Sequence, residues 1–325
     1  MKILLITPAA PHSRAGNRAT ATRWAGLLRE IGHRVTIASS DAGAAAVRQP
    51  ADAVIALHAW RSAEAIAAAS EHAPGRTLAL ALTGTDIYRF QYSAPDITVA
   101  SMERAHVLIG LHARVADAIP PRLHDRLHTV YQSAHPLPPS YPGPPTRRLR
   151  VLVAGHLRAE KDPLRAPFAA RELPTDSRVE VVHVGRAHDA SWAEAARAEL
   201  AANPRFSWRG EVSHGHVRRL MAASHLMVIS SVMEGGANVV SEACVAGLPV
   251  IASDIPGNRG LLGDDHPAYY PPEDTAALRD LLARAEADPT FLADLRARSA
   301  ALAPCFTPER ERAALARALG ETSSP

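Results

Sequence analysis

The stretch LMVISSVMEGGANVVSEACVAGLPVIAS, residues 226–253, decides how the chain folds. LMVISS (226–231) is a short apolar run bounded by turn residues, the pattern of a buried strand. VMEGGA (232–237) follows as a turn. NVVSEACVA (238–246) reads as a helix that stops at Gly247, and PVIAS (249–253) as a second strand. Strand, turn, helix and strand make a βαβ unit, the repeating piece of a parallel sheet covered by helices.

The same rhythm extends in both directions. RVLVAGH (150–156), VEVVHVG (179–185) and FSWRG (206–210) are further strands, alternating with helical stretches near 162–171, 190–202 and 214–223. The tail reads as three helices, 274–286, 289–302 and 308–319. Upstream, KILLITP (2–8), VTIAS (35–39), AVIALH (53–58), TLALALTG (77–84) and HVLIGLH (106–112) are strand-like. A helix after Gly16 ends at Ile31 with Gly32 as its stop, and 62–72 is an Ala-rich helix. Between the halves lies HPLPPSYPGPPTRR (135–148), whose prolines read as a stiff border between domains or as one long surface loop. The expectation is an α/β chain of two Rossmann-like doubly wound domains, 1–140 and 149–305. Ligands of such sheets sit at the carboxyl ends of the strands, and two domains facing across a cleft would place a pocket there.

The 325 residues, 47% hydrophobic, are enough for two domains with cores of their own. The formal charge is +3 and the isoelectric point about 9.1, with no run of five like charges. Neither nucleic acid nor a membrane surface is implied as a partner. Cys244 and Cys305, the only cysteines, show no metal spacing and suit a reducing cytoplasm. The apolar part of MKILLITPAAP is too short for a signal peptide, and no apolar run reaches the roughly 18 residues of a membrane span. The 16 histidines form no HExxH-type pair, so no metal and no other cofactor is expected. Lys2 and Lys161 are the only lysines, which draws attention to Lys161.

Glu234 and Glu242 bracket the turn and the first helical turn after it. Gly235 and Gly236 let backbone approach a ligand, and the free N–H groups around Ala237 and Asn238 favour an anion. Asn238 and Glu242, four apart, share a helix face. Carboxylates accept from hydroxyls and repel phosphate, so the pattern suits a ligand with phosphate at one end and sugar hydroxyls at the other. The alternative is an ordinary strand–turn–helix with Glu234 solvated and Glu242 on an outer face. GHLRAEKDP (155–163) occupies the matching turn after the first strand of the second half. Its Arg158 and Lys161, with His156 beside them, suit a diphosphate that gains charge as it departs; a solvated basic turn is the alternative. WRGEVSH (208–214), with Val212, precedes another helix and offers backbone bonds to a base.

These motifs together, Glu234-x7-Glu242 followed by EACVAGLPVIAS, VAGHLRAEKDP and RGEVSHGHV, resemble the GT-B glycosyltransferases of the retaining family 4 type over roughly residues 150–260. The resemblance implies that the second domain binds a nucleotide-sugar. It implies that Glu242 takes the ribose, that Glu234 contacts the donor sugar, and that Lys161 and Arg158 face the diphosphate. Lys161, Arg158 and Glu234 are then the catalytic candidates, and Gly235, Gly236, Ala237, Asn238, His156 and Val212 line the donor. Where the family often has Gly-Arg-Leu this chain has Gly155-His156-Leu157, so His156 and Arg158 compete for the missing cation's place. The resemblance also implies that the last helix, within 306–325, packs back on the first domain.

The first half carries TPAAPHSRAGNRATATRWAGLLREIGHRV (7–35), LHAWRS (57–62) and LTGTDIYRF (82–90). These are similar to a narrower group, the selenosugar synthases of selenoneine biosynthesis. That resemblance implies a reaction joining selenophosphate to the sugar of a UDP-sugar, UDP-N-acetylglucosamine or UDP-glucose, to form a 1-selenosugar. Arg14, Gly16, Asn17 and Arg18 lie in the first βα loop. His58 and Arg61 end the third strand, and Thr83, Gly84, Thr85 and Asp86 the fourth. All lie at strand carboxyl ends, where an anionic acceptor would bind. Each has a plainer alternative: Arg18 a solvated helix arginine, His58 a satisfied buried histidine, Asp86 a helix N-cap before IYRF. A hydroxyl-directed transferase and a non-catalytic nucleotide-sugar-binding module are the rival readings. A dinucleotide dehydrogenase is disfavoured because the first loop lacks GxGxxG.

Overall fold

Burial on both faces is why the strands read as unbroken apolar runs. In β1 (Lys2–Thr7), Ile3 and Leu5 pack into one core and Leu4 and Ile6 into another, and all four are at most 5% exposed. The computed structural model describes residues 1–13, 16–72 and 75–321, and the chain divides into two compact units. One comprises Met1–Ser133 and the segment from Thr307 onward; the other is Ala134–Phe306.

The first unit continues with α1 (Gly16–Glu30), β2 (Arg34–Ser39), α2 (Ser40–Ala46), β3 (Ala53–Leu57), α3 (Ala63–His72) and β4 (Thr77–Leu82). A π-helical turn, Asp86–Phe90, runs into α4 (Gln91–Ser93). Then come α5 (Pro95–Arg104), β5 (Val107–Gly110) and β6 (Leu127–Thr129). The sheet is parallel, in the order β2-β1-β3-β4-β5-β6, so the strand order reverses between β1 and β3. Trp24 and Leu28 of α1 fill one side of it, and Ile66 of α3 and Met102 of α5 the other. Gly32, at φ 90, ends the first helical segment in a conformation that glycine adopts without strain.

The second unit comprises β7 (Leu149–Ala154), α6 (Arg165–Arg171), β8 (Val179–Val184), α7 (Ala190–Ala202), β9 (Phe206–Trp208), α8 (His214–Ala222) and β10 (Leu226–Ile229). These are followed by α9 (Asn238–Val245), β11 (Val250–Ser253), α10 (Pro256–Leu262), β12 (Tyr269–Tyr270), α11 (Thr275–Ala287) and α12 (Pro289–Leu302). Its parallel sheet runs β12-β11-β10-β7-β8-β9, with the reversal between β7 and β10. Asp189, Asp274 and Asp288 cap α7, α11 and α12 by accepting first-turn N–H groups. The proline-rich stretch contains no helix or strand. Arg218 of α8 donates to the carbonyls of His135 and Pro136, which ties its beginning to this unit.

The chain then returns to the first unit as α13 (Pro308–Ala318). Leu315 and Ala318 join the core with Trp24. Glu311, fully buried, accepts from Arg23 Nε at 2.9 Å, Trp24 Nε1 at 2.7 Å and the Ser133 N–H at 2.9 Å. No helix among the described residues is long and apolar enough to cross a membrane.

Candidate functional site

In an open parallel sheet the point where strand order reverses leaves a crevice at the carboxyl ends of the two central strands. In the second unit those strands are β7 and β10, and the loops leaving them are 155–163 and 230–237. The first of these is pinned from below. The His183 imidazole is fully buried, which pushes its pKa down to about 4, so the neutral ring donates from Nε2 to the Gly155 carbonyl at 2.9 Å. Gly185, at φ 148, crosses here so closely that a Cβ would lie 1.8 Å from the Gly155 oxygen, leaving no room for any side chain. The two loops are also tied to each other. Ser230 Oγ lies 3.1 Å from the Lys161 carbonyl oxygen and 2.8 Å from that of Asp162. The Val232 N–H donates to Glu160 O at 3.0 Å. Asp162 takes a left-handed conformation at φ 41, turning the chain out of the loop.

This bracing carries Lys161 Nζ onto Glu234 Oε1 in an ion pair, and Ser231 Oγ donates to the same oxygen at 2.5 Å. Glu234 is only 8% exposed, so the sequence alternative of a solvated carboxylate does not hold. Gly257 lets α10 approach: a Cβ there would sit 2.3 Å from the Glu234 carbonyl oxygen. Arg158 lies in the same loop; its buried Nε makes no hydrogen bond and is 4.0 Å from Glu160 Oε2. His156 accepts the Arg186 N–H at Nδ1; burial and then the neighbouring cations Arg186, Arg158 and Lys161 lower its pKa, against Glu211.

The second loop passes Gly235 and Gly236 (φ 145) into α9. Ala237 stands at the N-cap position and has no side-chain oxygen to offer, so no side chain caps this terminus. Glu242, one turn in, is mostly buried at its side chain and lies 3.2 Å from His214 Nε2 at the start of α8. Val212 is in the loop just before that helix. Ser253 donates to the Ser231 carbonyl and Asn258 donates to Ser253 O, bracing the loop from β11 and α10. These two residues, with Ser230 and Ser231, were not singled out in the sequence; their hydroxyl and amide contacts span 3 to 69 residues, and most leave no local signature.

In the first unit the corresponding reversal lies between β1 and β3. Arg14 lies outside the described residues. Gly16, Asn17 and Arg18 open α1, with Arg18 half-buried. His58 follows β3 at φ 75, a conformation costly for any residue with a Cβ and one that gathers at functional sites. Its Nδ1 accepts the Arg61 N–H, so Nε2 donates to Thr85 Oγ1 at 2.8 Å, and burial lowers its pKa and keeps it neutral. Asp86 is completely buried. Its oxygens accept the N–H groups of Ala59, Thr83, Gly84 and Ile87. Asp86 therefore fastens the loop after β3 to the loop after β4 and exposes no oxygen to solvent. Thr85, not Asp86, holds the N-cap position of the turn, so Asp86 is not the N-cap that the plainer alternative made it. Among the described residues no group of three His, Cys, Asp or Glu side chains could hold a metal ion.

Residues 141–301 match the family model of glycosyl transferases group 1. Solved structures match almost the whole chain. Anabaena HepE in complex with UDP and glucose is 17% identical, with a TM-score of 0.78, covering 98% of this chain and 99% of its own. Sucrose-phosphate synthase from Thermosynechococcus elongatus is 16% identical at a TM-score of 0.82, covering 97% of each chain. The fold is GT-B. A third GT-B structure, the UDP-forming trehalose-phosphate synthase of Burkholderia xenovorans in complex with glucose-6-phosphate, is 12% identical at a TM-score of 0.78. It covers 98% of this chain and 100% of its own. No curated protein matches the sequence. The family match spans nearly all of the second unit, so it takes in both loops of the GT-B switch point described above.

Proposed function

We propose that this chain is a UDP-sugar-dependent glycosyltransferase whose acceptor is selenophosphate. The observation that carries the donor half is the Lys161–Glu234 pair beside the uncapped N-terminus of α9, at the switch point of a unit matched by the group 1 family. Lys161, Arg158 and the α9 terminus take the diphosphate, Glu234 the sugar and Glu242 the ribose. HepE, crystallised with UDP-glucose, supports UDP as the nucleotide. The acceptor half is supported by the first-unit motifs and by the braced loops around His58, Arg61 and Thr85, with Arg18 of α1 as a further cation for the anion.

In the proposed reaction a selenium lone pair attacks the anomeric carbon. The C–O bond to the diphosphate breaks as the C–Se bond forms, and UDP leaves with the bonding pair. Selenophosphate is already anionic at this step, so no side chain has to remove a proton from it. Water then cleaves the Se–P bond, leaving the 1-selenosugar and phosphate. Lys161 and Arg158 stabilise the charge that grows on the leaving diphosphate.

The test is anaerobic incubation of the protein with UDP-N-acetylglucosamine or UDP-glucose, with and without selenophosphate. Mass spectrometry should find a product with selenium's isotope pattern together with UDP, only when protein and selenophosphate are both present. A second reading, transfer to a hydroxyl of a phosphorylated sugar, draws on the neighbour crystallised with glucose-6-phosphate; it predicts UDP release with that acceptor instead. Binding of UDP-sugar without UDP release from any acceptor would leave only the binding-module reading. Within the proposal, Glu242→Ala should weaken UDP-sugar binding about tenfold through lost ribose hydrogen bonds. Calorimetry checks this, and unchanged affinity would remove Glu242 from the ribose.

A further inference from the structure

We propose that Trp60, stacked on Phe90, is the contact by which the acceptor site tells selenophosphate from phosphate. The inference rests on the acceptor reading above. The two anions share their tetrahedral shape and their charged oxygens, so arginines and N–H groups recognise both alike. The atom that differs is selenium, which is larger, more polarisable and a poorer hydrogen-bond acceptor than oxygen. A face that prefers it should be apolar and polarisable, as aromatic rings are towards thioether sulfur.

Such a face stands next to the proposed anion contacts. Trp60 lies between His58 and Arg61 in the loop after β3, and its ring lies flat on Phe90, 4.2 Å between centroids and 4° from parallel. The Phe90 ring is in turn 5.8 Å from the His58 imidazole. Trp60 keeps 36% of its surface exposed, unusual for the largest apolar side chain. Holding the loop does not account for it. That task falls to polar contacts: Ala59 N–H to Asp86, Ser62 Oγ to Leu57 O at 2.7 Å, and His58 to Thr85. The arrangement therefore keeps part of a stacked aromatic pair exposed in the loop that carries His58 and Arg61, with Phe90 bridging its ring towards the His58 imidazole that Thr85 holds.

The experiment compares kcat/KM for selenophosphate with the inhibition constant of phosphate in the native protein, Trp60→Ala and Trp60→Phe. In Trp60→Ala, kcat/KM for selenophosphate should fall about three- to tenfold, while phosphate inhibition changes by less than about twofold. Trp60→Phe should keep most of the preference. UDP-sugar affinity, measured on the same samples, should stay at the native value, and thermal melting checks that each variant is folded at the assay temperature. Equal weakening of both anions, or no change in either, overturns the assignment. A native protein that forms no selenosugar overturns the acceptor reading itself, so the two failures are distinguishable.

Discussion

Replacing Lys161 with alanine should lower turnover by on the order of 10²–10³-fold while UDP-sugar affinity falls by no more than about tenfold. The asymmetry follows from where charge develops. In the bound UDP-sugar the diphosphate is one charge short of free UDP, and the missing charge appears on the oxygen next to the sugar as the bond to carbon breaks. A cation fixed at that place gains most of its interaction in the transition state. Lys161 is fixed: its backbone carbonyl is held by Ser230, its loop by the bond from Val232, and its ammonium by Glu234. The pair is partly buried, 21% and 9% exposed at the side chains, so removing the lysine also strands a carboxylate. The double variant Lys161→Met with Glu234→Gln removes both charges and separates the two effects. If its melting temperature returns to the native value while its turnover stays below that of Glu234→Gln alone, the further loss is the catalytic share of Lys161. Calorimetry of donor binding beside a UDP-release assay decides the rest, and an equal fall in affinity and turnover would make Lys161 a binding residue only.

The sequence made the sheets legible because parallel strands buried on both faces leave apolar runs, as in KILLIT of β1, TLALAL of β4 and LRVLVA of β7. Two parallel sheets and a GT-B fold are what the βα rhythm and the motifs led us to expect, and five of the six strands in each sheet were read. Elements with weak local signals were not read: α2, α5 and α10, the three-residue β6, the two-residue β12, and the π-helical turn at Asp86. The turn shows why. Its anchor is Asp86, which accepts from Ala59, 27 residues away, and no window around LTGTDIYRF contains that partner. The candidate site divides in the same way. Glu234 and Glu242 stood out because they bracket a glycine pair at the start of a helix, and Lys161 because it is one of two lysines in the chain and lies in a strand-to-helix turn. The residues that hold them, Ser230, Ser231, Ser253 and Asn258, are common polar types whose role depends on tertiary contact. So does Gly185, which is needed only because the Gly155 carbonyl passes against it.

The last helix offers a stability test as large in effect. Glu311→Ala should destabilise the first unit by about 3–5 kcal/mol. The carboxylate is fully buried, and both its oxygens accept from the one Arg23 Nε–H, at 3.1 and 2.9 Å. Without it, Arg23 retains Gln132 Oε1 at 2.8 Å, but Trp24 Nε1 and the Ser133 N–H lose the partners they have at 2.7 and 2.9 Å. Each stranded donor in a packed core adds to the lost ion pair. Glu311→Gln keeps an acceptor oxygen but not the charge, so its loss should be about half as large. The two substitutions together separate charge from hydrogen bonding. Urea unfolding followed by near-ultraviolet circular dichroism, to which the packed Trp24 contributes, measures both, and the UDP-sugar binding proposed for the second unit serves as the control that should not move. A loss under about 1 kcal/mol in Glu311→Ala would mean that apolar packing of Leu315 and Ala318 alone holds α13. The position matters because the chain leaves the first unit immediately after Ser133 and re-enters it at Thr307. One carboxylate therefore anchors the residue at the exit and the helix at the return, and a unit built from two separated pieces of sequence depends on such a contact more than a continuous one does.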